Sequence, residues 1–153
     1  MIELLQEYWP LLIQAGLMTI KLTVITLPFA VILGLLACLC GLTKHFKFIN
    51  TIYLNIIRGT PVLVQVYVVY FGIPSFIKDV FNVPFKFTAI TAGVITLSLN
   101  AGAYLSEIFR GGIQAVNKGQ MEAARSLGLP YHKAMTKVIL PQAFRIVIPS
   151  IVN

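Results

Sequence analysis

Four polar residues recur at helical spacing along one apolar stretch of the chain. Thr96, Asn100, Tyr104 and Glu107 stand at i, i+4, i+8 and i+11, so an α-helix places them on one face. Polar groups at membrane depth are costly unless they face protein or water. Two interpretations stay open: the face lines a path for a polar solute, or it joins helices by hydrogen bonds. Gln65, in the preceding apolar stretch, is a further candidate for the solute path.

Charged residues mark the ends of these stretches. Glu107 precedes Arg110 by three residues, a spacing that predicts an ion pair on one helix. Arg58 is either a functional charge or an arginine whose guanidinium reaches the lipid phosphates.

The residue types needed for catalysis or metal binding do not cluster in the sequence. His45 and His132 stand apart from any Cys, Asp or Glu at metal-ligand spacing. The phosphate-binding pattern G-x-x-x-x-G-K-[ST] is absent from the sequence, and no Ser/His/Asp set is suggested. We therefore predict a chain that is not an enzyme, with no metal and no cofactor of its own.

The composition predicts an all-α membrane protein with a single domain over residues 1–153. The chain is 58% hydrophobic and only 11% charged, whereas soluble domains carry about 25% charged residues. The net charge of +7 is sorted by loop rather than gathered in a patch, so nucleic acid is not an expected partner, and membrane lipid is.

Charge-free runs at residues 22–43, 59–77 and 87–106 locate the membrane spans. Each approaches the roughly 20 residues that cross about 30 Å of hydrocarbon. We predict spans at about 16–42, 59–77 and 87–109, and the start of a fourth at about 142–153. The last run is too short to span, so the chain is expected to be truncated. In the first span, a stripe of small residues lets another helix approach closely; it consists of Ala30, Gly34 and Cys38.

The distribution of basic residues predicts the orientation. Basic residues follow the first and third spans, namely Lys44, Lys47, Arg110, Lys118, Arg125, Lys133 and Lys137. The positive-inside rule places these loops in the cytoplasm, and the N-terminus, with Glu3 and Glu7, outside.

The loop at about 111–141 predicts a helical hairpin. Residues 120–127 are good helix formers, Gly128 is a left-handed stop, and Pro130 fits the first position of a second helix at 131–139. Ala123 and Ala124, beside Glu122, keep one face small enough for a partner to approach. Leu127 and Leu129 are suited to a partner's groove, although an ordinary surface hairpin is the alternative.

Three motifs resemble a known family. The loop reads Glu122-Ala123-Ala124-x-x-x-Gly128, nine residues, then Val138-x-Leu140-Pro141. It resembles the EAA loop of permease subunits of bacterial ATP-binding-cassette (ABC) importers, which prefer Ile where Val138 stands. Residues 58–65 (RGTPVLVQ) and 98–113 (SLNAGAYLSEIFRGGI) are similar to the polar amino acid branch, of histidine/glutamine type.

The resemblance implies an ABC type I importer permease fold with a five-helix core that continues past Asn153. It implies a homo- or heterodimer of permease subunits in the cytoplasmic (inner) membrane. Cytoplasmic ATPase subunits, which bind the ATP, would dock on the EAA loop at Glu122, Ala123, Ala124 and Gly128. An external binding protein would deliver a polar amino acid.

Two other classes of function stay open. An ion-gradient-driven secondary carrier needs a charged relay and two related halves, but Glu107 is isolated and no repeat is evident. A membrane-embedded enzyme needs a metal or nucleophile cluster, which the sequence does not suggest.

Overall fold

The structure, a computed structural model, describes residues 2–43 and 45–152, with side chains at 6, 8–43 and 45–151. Lys44 of the first predicted loop and Asn153, the predicted end of the last run, lie outside the described residues. The side chains of Glu3 and Glu7, at the N-terminus that we predict to lie outside, are also not among the described residues.

The described chain is built of helices. In chain order they are α1 (Ile2–Leu42), α2 (Lys47–Gly59), α3 (Val62–Tyr67), α4 (Ile73–Phe81), α5 (Ala89–Ala115), α6 (Lys118–Ser126), α7 (Tyr131–Ala134) and α8 (Leu140–Val152). Turns of π-helix, Val68–Gly72 and Met135–Ile139, join α3 to α4 and α7 to α8 without a break. The predicted all-α class is confirmed.

Within the described residues, four helical stretches are long and apolar enough to cross a membrane: Tyr8–Leu42, Val62–Phe81, Ala89–Ala115 and Tyr131–Ile151. The last stretch is longer than the sequence predicts. From the sequence we expected a fourth span to start at about residue 142 and to be too short to cross the membrane. The helix begins at Tyr131 instead, which gives it 21 residues of candidate span.

The two π-turns explain why prolines do not end these helices. Ile73 and Leu140 each precede a proline, and each donates its amide to the carbonyl five residues back, on Val68 and Met135. In an α-helix the proline ring clashes with the carbonyl four residues back. A wider turn relieves that clash, so the chain stays helical. The chain is therefore helical beyond Pro74, as far as Phe81.

Close packing of α1 on α5 forms the largest helix contact in the described chain. The predicted stripe is the contact surface, because Ala30, Gly34 and Cys38 are all buried. A Cβ added at Gly34 would lie 2.8 Å from Leu105 Cβ and 3.1 Å from the Gly102 carbonyl oxygen. The absence of a side chain thus brings the two backbones together.

Farther along α5, a Cβ added at Gly112 would lie against Val147 and 3.1 Å from the Ala143 carbonyl oxygen of α8. Helix α5 therefore contacts both α1 and α8, and the α2–α3 segment packs along it as well.

Candidate functional site: the helix break and the coupling loop

The helix breaks between α2 and α3. Thr60 and Pro61 are extended, with φ/ψ of −120°/142° and −60°/136°. The last carbonyls of α2 consequently lose their helical amide partners. The hydroxyl of Thr60 donates to the Ile56 carbonyl oxygen at 2.8 Å, which satisfies the first of them.

Gln65 of α3 turns back toward this break. Its Nε2 lies 2.7 Å from the Ile57 carbonyl oxygen, 3.0 Å from the Thr60 carbonyl oxygen and 2.9 Å from Thr60 Oγ1. Its Oε1 accepts a hydrogen bond from Asn100 Nδ2 of α5 at 3.2 Å. Both ends of the Gln65 amide are therefore engaged, and they connect the break to α5.

Charged side chains connect the other side of the break to the same helix. Glu107 Oε2 lies 2.9 Å from Arg110 Nη2, which confirms the predicted ion pair, and 3.3 Å from Arg58 Nη1. The Arg58 guanidinium also lies 5.4 Å from the centroid of the Tyr104 ring, within range of a cation–π contact. Arg58 thus binds protein groups, a contact that sequence reasoning missed because its partner lies 49 positions away.

The predicted polar face of α5 is only partly used in this way. Asn100, Tyr104 and Glu107 meet the break, but Thr96 is 1% exposed and donates to the Ala92 carbonyl oxygen of its own helix at 2.8 Å. Thr96 and Gln65 border a cavity of about 210 Å³ whose other lining residues are mostly apolar. A role for these side chains in a solute path stays a prediction.

Tyr53 of α2 supplies a further polar contact that the sequence did not suggest. Its hydroxyl donates to the Leu99 carbonyl oxygen at 2.6 Å. Burial raises the pKa of the Tyr53 phenol, so the group stays a protonated donor. Sequence reasoning missed it because tyrosine near a membrane boundary is more typical of an interfacial belt.

The predicted hairpin forms beyond α5, where α6 is defined at both ends by its own sequence. Asn117 Oδ1 accepts the Gly119 amide at 2.8 Å and caps the N-terminus. At the other end Gly128 has φ +81°, as predicted for a left-handed stop. The Leu129 amide donates to the Ala124 carbonyl oxygen at 3.2 Å and the Gly128 amide to that of Arg125 at 3.0 Å, the Schellman pattern.

The second arm of the hairpin begins at Tyr131, as predicted, although Pro130 is the N-cap residue and not the first helical residue. Pro130 precedes α7, and its carbonyl oxygen accepts the amides of Lys133 and Ala134 at 2.9 Å and 3.0 Å. Proline suits this position because it has no amide to leave unpaired.

The predicted docking residues differ in exposure. Glu122 and Ala123 are exposed, and Leu127 at the tip of the hairpin is 83% exposed. Ala124 is only 4% exposed and Leu129 is half-buried. The two alanines therefore lie on different faces of α6: Ala123 is open to a partner, whereas Ala124 is covered by the protein.

An apolar cluster holds the hairpin to the spans. Val116, Ile139 and Ala143 are buried, and Met121 of α6 packs against them together with Ile113, Met135 and Val138. Only Val116 and Asn117 separate α5 from α6. The cluster therefore packs α6 against the π-turn Met135–Ile139 and the start of α8.

The chain is similar in sequence to known membrane transport proteins. Residues 8–153 match the model of a family described as "Binding-protein-dependent transport system inner membrane component". The chain is 40% identical over 158 residues to a putative glutamine transport system permease protein of Rickettsia bellii (strain RML369-C), covering all of this chain and 70% of that protein. It is 40% identical over 146 residues to an arginine transport system permease protein of Bacillus subtilis (strain 168), covering 94% of this chain and 64% of that one.

A solved structure agrees with the sequence relatives. It is described as an amino acid ABC transporter with histidines, and it superposes with a TM-score of 0.85 at 40% identity over 95% of this chain and 66% of that one. The chain spans about two thirds of the length of these relatives. These matches favour an ABC permease over the ion-gradient-driven carrier. The chain belongs to the family of binding-protein-dependent transport system inner membrane components, the multi-pass permease subunits of ABC importers.

Proposed function

We propose that this chain works in an importer that carries a polar amino acid across the cytoplasmic membrane, driven by ATP that a separate subunit binds and hydrolyses. The observation that carries the proposal is the α6 arm of the hairpin, which displays Glu122, Ala123 and Leu127 between the candidate spans Ala89–Ala115 and Tyr131–Ile151. The glutamine, arginine and cystine named for its relatives support an amino acid as the cargo.

The hairpin has the properties of a docking site for the cytoplasmic ATPase. Its ends are fixed by the Asn117 cap and the Gly128 turn, so little conformational entropy is lost on binding. The exposed Leu127 side chain is the apolar anchor that a groove accepts. Because Met121 of α6 packs against the apolar cluster of Val116, Ile139 and Ala143, movement of the ATPase is transmitted to the spans.

The remaining parts of the importer follow from this assignment. The hairpin lies in the cytoplasm and the N-terminus outside, as the basic loops indicate. A second permease subunit completes the pathway, and an extracytoplasmic binding protein delivers the amino acid. The solute path runs beside the polar face of α5, near Gln65, Thr96, Asn100 and Glu107.

A pull-down of the complete importer tests the docking assignment. Native membranes are solubilised in mild detergent, and mass spectrometry identifies the chains that copurify. We expect an ATPase with a phosphate-loop sequence, and a loss of about 1–2 kcal/mol of binding energy for Leu127→Ala, since truncated interface anchors cost this much. Leu63→Ala is the matched control, because Leu63 is 64% exposed on α3. A chain that purifies only with itself contradicts the proposal.

A further inference from the structure

We propose that Gln65 is a positioning residue whose side chain caps the broken end of α2 and, through its contact with Asn100, fixes the α2–α3 break to α5. This inference rests on the proposed function, because it assigns the break a task in transport. It separates Gln65 and Asn100 from a direct role as solute ligands.

The break leaves the Ile57 carbonyl without its ordinary partner. In a continuous helix this oxygen accepts the amide of residue 61, but Pro61 has no amide hydrogen and the backbone at Thr60 is extended. An unpaired carbonyl away from water costs several kcal/mol. Gln65 Nε2 supplies the donor at 2.7 Å and also lies within hydrogen-bond distance of the Thr60 carbonyl oxygen.

The backbone carbonyls at the break determine which way the Gln65 amide faces, and Asn100 contacts its other end. A glutamine amide can rotate so that its oxygen and nitrogen exchange places. Asn100 Nδ2 donates to Gln65 Oε1 at 3.2 Å, and the Gln65 nitrogen faces the Ile57 carbonyl. With the Gln65 amide reversed, its oxygen would face the Ile57 carbonyl oxygen, which can only accept a hydrogen bond.

A second contact fixes the opposite side of the break. Arg58, at the end of α2, binds Glu107, while Gln65, at the start of α3, binds Asn100. Asn100 and Glu107 are seven residues apart, two turns along one face of α5. The break is therefore attached to one helix on both sides, and α5 in turn leads into α6. A movement transmitted through α6 carries the break with it.

Local hydrogen exchange in the assembled, solute-free importer tests this role. The variants are Gln65→Leu and Asn100→Leu, and Gln6→Glu, at an exposed glutamine of α1, is the control. We expect exchange of the backbone amides at 58–60 and 65–67 to rise about tenfold for Gln65→Leu, since the net contribution of one hydrogen bond is about 1 kcal/mol. Amides in α6 and at the α1–α5 contact should be unchanged. Asn100→Leu should give a smaller rise at the same amides.

Two results would overturn the inference. Unchanged exchange at the break, together with lost uptake, would mean that Gln65 contacts the solute. A rise across the whole chain would mean that Gln65 only supports general stability. If Gln65→Leu does not assemble, Asn100→Leu decides the matter, because it leaves the bonds from Gln65 to the break in place. The absence of an ATPase partner would refute the proposed function and would leave the exchange result intact.

Discussion

At the scale of single residues, the backbone conformation of Gly128 determines the turn between α6 and α7. Its φ of +81° is a conformation that L side chains rarely adopt, and a built Cβ meets nothing within 4 Å. The requirement for glycine is thus conformational and not steric. The Schellman bonds of Gly128 and Leu129 depend on this one backbone angle.

Replacing Gly128 by alanine should loosen the hairpin without unfolding the spans. Strain at a positive φ costs about 1–2 kcal/mol. We expect Gly128→Ala to stay in the membrane while ATP-driven uptake falls several-fold. Gly111→Ala is the matched control, because Gly111 lies in α5 with open space around its Cβ. Equal uptake by the two variants would contradict the role of the turn.

Glu107 is the centre of the charged cluster, and its neutralisation leaves two guanidinium groups without a carboxylate. The side chains of Arg58, Glu107 and Arg110 are 41%, 26% and 41% exposed, so solvent screens part of the interaction. We expect Glu107→Gln to cost about 1 kcal/mol, seen as a lower thermal unfolding midpoint in detergent. Asp79→Asn, at an exposed carboxylate of α4, should leave the midpoint unchanged.

Sequence reasoning predicted the residue-scale features that depend on near neighbours. The Glu107–Arg110 pair and the Gly128 stop each lie within one or two helical turns, where spacing fixes geometry. It missed the Arg58–Glu107 pair and the cap from Gln65 to Ile57, since both depend on how a break folds against a distant helix. Polarity placed Gln65 and Asn100 among the candidates, but it did not show that they bond each other.

At the scale of helices, the α1–α5 contact depends on small residues. Gly34→Val should separate the two helices, because even a Cβ at this position lies 2.8 Å from Leu105 Cβ and 3.1 Å from a backbone oxygen. Overpacking of this kind costs about 1–3 kcal/mol. We expect less folded protein in the membrane and a lower unfolding midpoint. Gly16→Val on the same helix is the control, since nothing lies within 4 Å of its Cβ; a similar loss there would contradict the contact.

Helix type was predictable from composition, but helix limits were not. Proline usually breaks a helix, yet Pro74 and Pro141 lie within continuous helical stretches. The π-turns before both residues keep the helices continuous, and no single-residue propensity predicts such turns. The small-residue stripe was predictable because its four-residue spacing is a property of one helix.

At the scale of the whole molecule, orientation is the first prediction to test. Basic residues in the hairpin place α6 in the cytoplasm. The labelling uses a protein that also carries Cys38→Ala and Cys40→Ala. In it, Ser126→Cys should react with a membrane-impermeant maleimide only after the membrane has been permeabilised. Lys86→Cys, between α4 and α5, should react from outside. The reverse labelling pattern would invert the assignment and place the docking surface on the wrong side for an ATPase.

The most direct test of the central claim is uptake into proteoliposomes that contain the complete importer with its ATPase subunit and an external binding protein. We expect a polar amino acid to accumulate only when ATP is present inside the vesicle. This accumulation should stop when the hairpin is altered by Gly128→Asp. We also expect no dependence on an imposed ion gradient. Uptake that continues without ATP and collapses with the ion gradient would contradict the account.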